Sequence, residues 1–377
     1  MKVLVELAAF QAAIEKCYSV IGKKLSVFVP RILLEADDGG NFTITGISSD
    51  TNICIKVPAV VTNKGSFIIY IDDINTPTKW WFGESVMIEC DDLPVFTLYK
   101  DDNFKEPSGM LQVRRLDDNG WLLDPITDPD ISIPVDSLEL KNAVSATTHC
   151  LSEKKGGICS VYHLEMIEDG AQLRVSTTDQ TRGAVYGELF KPSSAKLAIS
   201  AWFLNVASKI MDGTILIKKK DSTFEMENRT TRIITTGTDI AFTGKIVEMC
   251  QNNHPGKCVA KCTANKNEFV RMVKAIAYTT DEDAESFKSN NPAYIRFKGN
   301  KLIVESGPRS LQGRMVTDCV SSGSSEIVVK SSSLLSALRN CSGEKVTLYI
   351  GELMNQNILL FFDEEKQVSD FILPLHS

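Results

Sequence analysis

Three stretches of this 377-residue chain say nearly the same thing, about 129 residues apart, and that period restricts the fold more than any other feature. The opening phrase MKVLVELAAFQAAIEKC recurs as ISIPVDSLELKNAV from Ile131 and as CVAKCTANKNEFVRMVKAIA from Cys258. A second phrase, FIIYIDDINTPTKWW from Phe67, returns as LAISAWFLNVASKI from Leu197 and as IVVKSSSLLSALRN from Ile327. Asp50 in ITGISSD and Asp179 in RVSTTD, 129 positions apart, each close a strand-like run. Such a period exceeds any solenoid unit and corresponds to a whole domain. Three copies of one domain in one chain is above all a statement about geometry.

Each copy holds two half-phrases in which a short strand leads into an amphipathic helix, with alternating strands after it. Phe10 and Ile14, then Phe269, Val270 and Val273, stand at helical spacing in the first half-phrase. Phe203, Leu204, Val206 and Ile210 do so in the second, as do Leu334, Leu335 and Leu338. The runs NFTITGISSDTNICIKV, AQLRVSTTDQTRGAVYGELF, TILIKKKDSTFEMENRTTRIITTG and VTLYIGELMNQNILLFFDEE read as strands. They are rich in Val, Ile, Thr and Phe and are broken by Asp, Asn and Gly. Six helices and about two dozen strands follow, an α+β chain dominated by antiparallel sheet. Turn residues cluster in LLDPITDPD near 123–130 and in QNNHPGK near 251–257. These joints give domains of residues 1–126, 127–253 and 254–377, set without long linkers in a fixed, curved row.

Apolar content of 43% and charged content of 24% fit an ordinary soluble globular protein. No run of eighteen apolar residues and no basic-then-apolar leader occurs, so neither a membrane span nor a secretory signal is expected. Ten cysteines are too dilute for a disulfide scaffold, and reduced thiols in a cytoplasm are the expectation. A net charge of −7 argues against a general nucleic-acid binder, unless the basic residues gather on one concave face.

No GxxxxGK[ST] loop, GxGxxG turn, HExxH or GxSxG is present. The four histidines, His149, His163, His254 and His376, carry no local catalytic signature. The reading is therefore not an enzyme, with no cofactor of its own. Cys250, His254, Cys258 and Cys262 fall every fourth residue and look like a zinc set. Zinc sites ordinarily pair close ligands across a longer loop, and Pro255-Gly256 would break the helix that an even ladder needs. Cys258 and Cys262 read as the start of a strand, so the ladder is taken as accidental and no metal is expected.

The repeats and TTDQTR at 177–182 bring out a family: laid end to end, the chain resembles the bacterial sliding clamp, the beta subunit of DNA polymerase III. The likeness runs helix for helix over essentially the whole length. The family usually reads Thr-Asp-Gly-His-Arg-Leu where this chain has Thr178, Asp179, Gln180, Thr181, Arg182 and Gly183, and FILPLHS resembles its short apolar ending. The divergence suggests a phage, plasmid-borne or paralogous clamp. The resemblance implies three similar clamp domains per chain, helices inside and antiparallel sheets outside. Two chains joined head to tail would close a six-domain ring around duplex DNA, since a heterologous contact closes when the rotation fits. It implies a processivity factor that tethers polymerase and clamp loader through short peptide motifs, ATP belonging to the loader. The alternative is a clamp-like interaction protein that sequesters such partners or forms mixed rings.

Under that resemblance the DNA-facing residues are Lys23, Lys24, Lys154, Lys155, Lys209, Lys266, Arg271, Lys274 and Arg339, on or beside the helices. Contacts of this kind are sequence-blind and salt-sensitive, although a solvated helix face explains any one lysine equally well. The peptide pocket carried over by position comprises Thr178, Gln180, Thr181, Arg182 and Gly183 with Phe371, Ile372, Leu373, Pro374 and Leu375. Val161, Pro255 and Asn357 are weaker assignments. FILPL also reads as a core strand, and both readings hold together. Thr181 for a family His and Gly183 for a Leu imply a wider pocket with a different motif preference. For the ring joint, the strand VFTLYK at 95–100, Lys100 and Lys105 would face Ala277-Tyr278 of the other chain. Asp281, Glu282, Asp283 and Glu285 would meet those lysines, or form an ordinary solvated loop.

Overall fold

Six times among the described residues a strand runs straight into a helix with no residue between them. The computed structural model describes residues 1–22, 28–100, 106–117, 122–152, 157–168, 172–237, 240–277, 291–306, 313–353 and 355–375. The first copy runs β1 (Lys2–Glu6), α1 (Leu7–Ile21), β2 (Arg31–Ala36), β3 (Phe42–Ile47), β4 (Thr51–Val57) and β5 (Ala59–Asn63). It continues through β6 (Gly65–Tyr70), α2 (Ile71–Thr78), β7 (Ser85–Cys90), β8 (Pro94–Tyr99) and β9 (Pro107–Gln112). The second comprises β10 (Ile131–Asp136), α3 (Ser137–Thr147), β11 (Val161–Ile167), β12 (Leu173–Thr178) and β13 (Arg182–Tyr186). After these come β14 (Ser193–Ser200), α4 (Ala201–Ile210), β15 (Thr214–Lys220), β16 (Thr223–Glu227) and β17 (Thr231–Thr236). A short helix, α5 (Lys245–Asn252), precedes the third copy. That copy holds β18 (Ala260–Asn265), α6 (Lys266–Ala277), β19 (Pro292–Lys298), β20 (Lys301–Ser306) and β21 (Arg314–Ser322). It ends with β22 (Ser325–Lys330), α7 (Ser331–Asn340), β23 (Lys345–Leu353), β24 (Gln356–Asp363) and β25 (Val368–Ile372).

The helices start without side-chain caps at Glu6, Tyr70 and Lys330. Their first amides, which a helix leaves without an internal partner, are instead met by backbone carbonyls at repeating positions. Leu7 N donates to Glu84 O (2.9 Å), Ser137 N to Gly213 O (2.9 Å) and Lys266 N to Glu344 O (2.8 Å). Ile71 N and Ser331 N likewise donate to Pro30 O and Asn291 O. Below each start the apolar stripe packs on sheet. Helix α1 buries Phe10, Ala13, Ile14 and Cys17, and α6 buries Phe269, Met272, Val273 and Ile276. Each such fully buried large side chain contributes roughly 1.5–3 kcal/mol.

All described strand pairs are antiparallel and fall into three sheets. One has the order β5-β1-β7-β8-β9, a second β10-β15-β16-β17-β4-β3-β2-β6, and the third holds twelve strands, β14-β11-β12-β13-β25-β24-β23-β18-β21-β20-β19-β22. Two pairings join strands of different copies. β17 adds to β4, with Thr231 opposite Ile55 and Thr235 opposite Thr51. β25 adds to β13, with Arg182 opposite Ile372 and Tyr186 opposite Val368. Both joints use the same parts, the last strand of one copy and the strand that follows the Asp50 or Asp179 turn of the copy before. By contact the chain divides into two compact units, Met1–Leu138 with Asn205–Asp239, and Glu139–Leu204 with Ile240–Ser377.

The structure departs from the sequence reading at two elements. A seventh helix among the described residues, α5, runs up to the turn-rich joint near 251–257 and overlaps only its first two residues. Its apolar residues Ile246, Val247 and Cys250 are buried, but at eight residues and without a cap it has no strong helical signature. VFTLYK is not a sheet edge: β8 is paired on both sides, and the edge is β9. The Cys250–Cys262 ladder does not converge, because Cys262 lies in the third copy's core and Cys250 packs with α5 against Val185 and Phe371. All ten cysteines are free thiols. No described helix is long and apolar enough to cross a membrane.

Candidate functional site

The turn at Asp179 is built by a single carboxylate. Asp179 accepts hydrogen bonds from Thr181 N (2.9 Å), Thr181 Oγ1 (2.6 Å), Arg182 N (3.1 Å) and Arg182 Nε (2.9 Å). Desolvation would raise its pKa, yet the hydrogen bonds from Thr181 and the Arg182 charge outweigh that and hold it below the usual carboxylate range. Thr178 Oγ1 donates to Arg182 O (2.8 Å) and accepts from Gln180 N (3.0 Å). The tight reversal puts Gln180 in the left-handed region at φ 73°, the position of the glycine in the family pattern. Thr178 is buried, while Gln180 and Thr181 are exposed.

The β13–β25 joint brings this turn to the chain end. Gly183 stands opposite Phe371, and Leu373 N donates to Thr181 O (2.8 Å). Leu375 N continues onto Val328 O (2.9 Å). Phe371 and Ile372 are buried, whereas Leu373, Pro374 and Leu375 stay half-exposed. So FILPL is a core strand for two residues and an accessible apolar rim for three.

A wider pocket at Gly183 is not what the structure has. A Cβ added there would lie 2.5 Å from Phe371 Cε1, so the Phe371 ring fills the space that a side chain at 183 would take. Behind the ring lies the wall that the sequence reading missed. Ile246, Val247 and Cys250 of α5 join Val185, Leu189, Ile358, Leu360 and Phe371 in one apolar cluster. The i, i+1, i+4 spacing of those three residues was the available signal.

The weaker pocket assignments scatter. Val161 is buried at the start of β11. Asn357 is exposed on β24 and donates to Ser325 Oγ and Glu326 O. Pro255 lines a different cleft of about 250 Å3 with Phe190, His254 and Phe362, near the Tyr186 end of β13.

Among the candidate DNA-facing residues, Lys209, Arg271, Lys274 and Arg339 are exposed on α4, α6 and α7. Lys266 is committed elsewhere, its ammonium donating to Cys341 O at the end of α7. Lys23, Lys24, Lys154 and Lys155 lie outside the described residues. The sequence reading passed over Lys79, exposed just after α2. Lys79, Lys209 and Arg339 are separated by 130 residues each: Lys209 and Arg339 lie in the last turns of α4 and α7, and Lys79 directly follows α2. That spacing was legible from the start.

Of the joint residues, exposed Lys100 stands over the Phe82 ring at 5.6 Å. Ala277 is half-buried at the end of α6. Lys105, Tyr278 and the acidic run 281–285 lie outside the described residues. Strand stretches with a single sheet partner include β9, at the end of its sheet beside β8, and Arg314–Asp318 of β21, beside β20.

No protein-family model matches the sequence, and no curated protein is similar to it in sequence. Solved structures are similar to it in fold. The DNA polymerase III subunit beta of Pseudomonas aeruginosa matches over 100% of both chains with a TM-score of 0.82 at 11% identity. The DNA polymerase sliding clamp of Bacillus subtilis matches over 100% of this chain and 99% of its own, with a TM-score of 0.81 at 16% identity. The beta subunit of Thermotoga maritima matches over the same shares, with a TM-score of 0.80 at 14% identity. In a strongly divergent sequence, the chain has the three-domain α+β fold of the bacterial sliding clamps, the beta subunits of DNA polymerase III.

Proposed function

We propose that this protein is a non-enzymatic DNA sliding clamp, a head-to-tail pair of chains that encircles duplex DNA and tethers a polymerase and its loader. The observation that carries the reading is the recurrence of an exposed cation at the end of the second helix in all three copies, Lys79, Lys209 and Arg339. A solvated face explains one of them, but not the same charge three times in an acidic protein. Repeated cations of this kind suit a polyanion touched without regard to sequence.

The internal joints support closure by a second chain. β17 on β4 and β25 on β13 are two uses of one contact. The third use would pair β9 with Arg314–Asp318 of β21 in another copy, covering both open edges. Met110 on β9 is 73% exposed and Val316 on β21 is 49% exposed, apolar surface that such a joint would bury. The in-chain joint also seats Asn340, at the end of α7, on Ala146 O of α3. Its counterpart in the first copy is Trp80, 80% exposed, which would meet the α6 end at Ala277 of the other chain. The turn at 178–183 with the half-exposed Leu373, Pro374 and Leu375 is the docking place for a short apolar peptide, which would add backbone pairing and Leu or Phe anchors.

The test is duplex binding by the variant K79A/K209A/R339A. It is expected to keep the wild-type mass and thermal stability while its affinity at low salt falls at least about tenfold and its salt dependence flattens. Unchanged affinity would remove the basis of the reading.

A further inference from the structure

Asp370 sits in the middle of β25, between Ala184 and Phe361 on the neighbouring strands, with 3% of its surface exposed. A buried carboxylate is costly unless it is paired and hydrogen-bonded. Asp370 Oδ1 accepts no hydrogen bond, and the His149 Nε2 facing it is 3.5 Å away. His149 and Cys150 share the 3-10 turn Thr148–Cys150 that follows α3, and Cys150 is 1% exposed. Donor atoms of the three side chains all lie within 4.8 Å of one another.

We infer that His149, Cys150 and Asp370 form a binding site for a zinc ion. Imidazole, thiolate and carboxylate are donors zinc accepts together, whereas the hard cations calcium and magnesium avoid sulfur. The charges balance, since Zn2+ with one thiolate and one carboxylate is neutral and leaves no net charge in the interior. In a tetrahedral site with bonds of about 2.0–2.3 Å the donors stand roughly 3.5 Å apart, so the cluster must contract by about 1 Å.

None of the three donors lines the nearby cavity of about 500 Å3, formed in part by Ala146, Tyr186, Asn340 and Lys366. Asn340 connects this cavity to the cluster. Its Nδ2 donates to Ala146 O (2.9 Å) and to His149 Nδ1, which leaves the ring proton on Nε2, toward Asp370. When zinc takes Nε2, that proton moves to Nδ1 and the Asn340 amide turns to accept it. The Cys150 proton is released to solvent, so affinity rises with pH. The ion would strap the end of α3 to the last strand of the chain, one residue from Phe371. The site is independent of the DNA reading and survives its failure.

The experiment strips the full-length protein with a chelator and titrates it with Co2+ as a spectroscopic probe, followed by Zn2+. Expected are one equivalent of cobalt with a thiolate-to-metal charge-transfer band, displacement by zinc, and a higher Tm in zinc. Cys150→Ser should abolish the band. His149→Gln and Asp370→Asn should weaken binding at least about tenfold. Cys258→Ser, outside the cluster, should change nothing. Absence of a thiolate band, or a band that survives Cys150→Ser, would overturn the assignment. Should a variant prove unfolded by circular dichroism, zinc-edge X-ray absorption of the wild type decides. One sulfur among nitrogen and oxygen ligands supports the site, and none or several sulfurs reject it.

Discussion

His163 shows how one buried ring sets the response to acid. It is fully buried on β11, its Nδ1 accepts Thr243 N (3.3 Å), its Nε2 has no hydrogen-bond partner, and the Phe242 ring meets it edge-on at 5.5 Å. Burial pushes its pKa down from 6.5 to about 4. Above pH 6.5 the folded and unfolded chains both carry a neutral ring, so it has no effect. Between about 6.5 and 4 the unfolded chain binds a proton that the folded one refuses, and stability falls by up to about 3 kcal/mol. Thermal unfolding from pH 7 to 4.5 should therefore show a steeper loss in the wild type than in His163→Phe. Parallel profiles would show that the ring is not the cause. Gly183 is a second case. Gly183→Ala should cost about 1–3 kcal/mol in denaturant unfolding because the Phe371 ring has to move. Adding Phe371→Leu should restore most of the loss, whereas strict additivity of the two changes would contradict the volume exchange.

At the scale of elements, one contact recurs. The last strand of a copy adds to the strand beyond the Asp turn of the copy before it, twice within the chain. The open edge of β9 and the open half of β21 are what remains when that rule is applied a third time. Met110→Asp places a charge on β9 where it is exposed in one chain, so the folding of a single chain should be unaffected. If β9 joins β21 of another copy, the same change should weaken self-association at least about tenfold, since a buried unpaired carboxylate opposes closure. Sedimentation over a concentration series measures this, and identical association of variant and wild type would remove β9 from the joint. Helix α5 belongs to this scale too. It closes the back of the Phe371 cluster, and its eight residues owe their order to that packing more than to propensity.

For the whole molecule, the period of the sequence carried most of the fold, because each copy repeats apolar residues at the same helical and strand positions. The turns at Asp50 and Asp179 were legible for the same reason. What escaped depended on pairings that no local pattern records. β9, PSGMLQ, has Pro and Gly where a strand usually has branched residues, so the more regular β8 was mistaken for the edge. Gly183 and Phe371 are 188 positions apart and meet only because β13 pairs with β25. Asp370 looks like any polar residue of a last strand until its neighbours are known. Lys79 needed only the 130-residue step to be applied once more. In the proposed clamp the chain completes itself with a second copy. The most direct measurement is its mass in solution by light scattering over a dilution series. A species near twice the 41.6 kDa chain mass that persists on dilution is the predicted result. A single-chain mass at every concentration would contradict the ring.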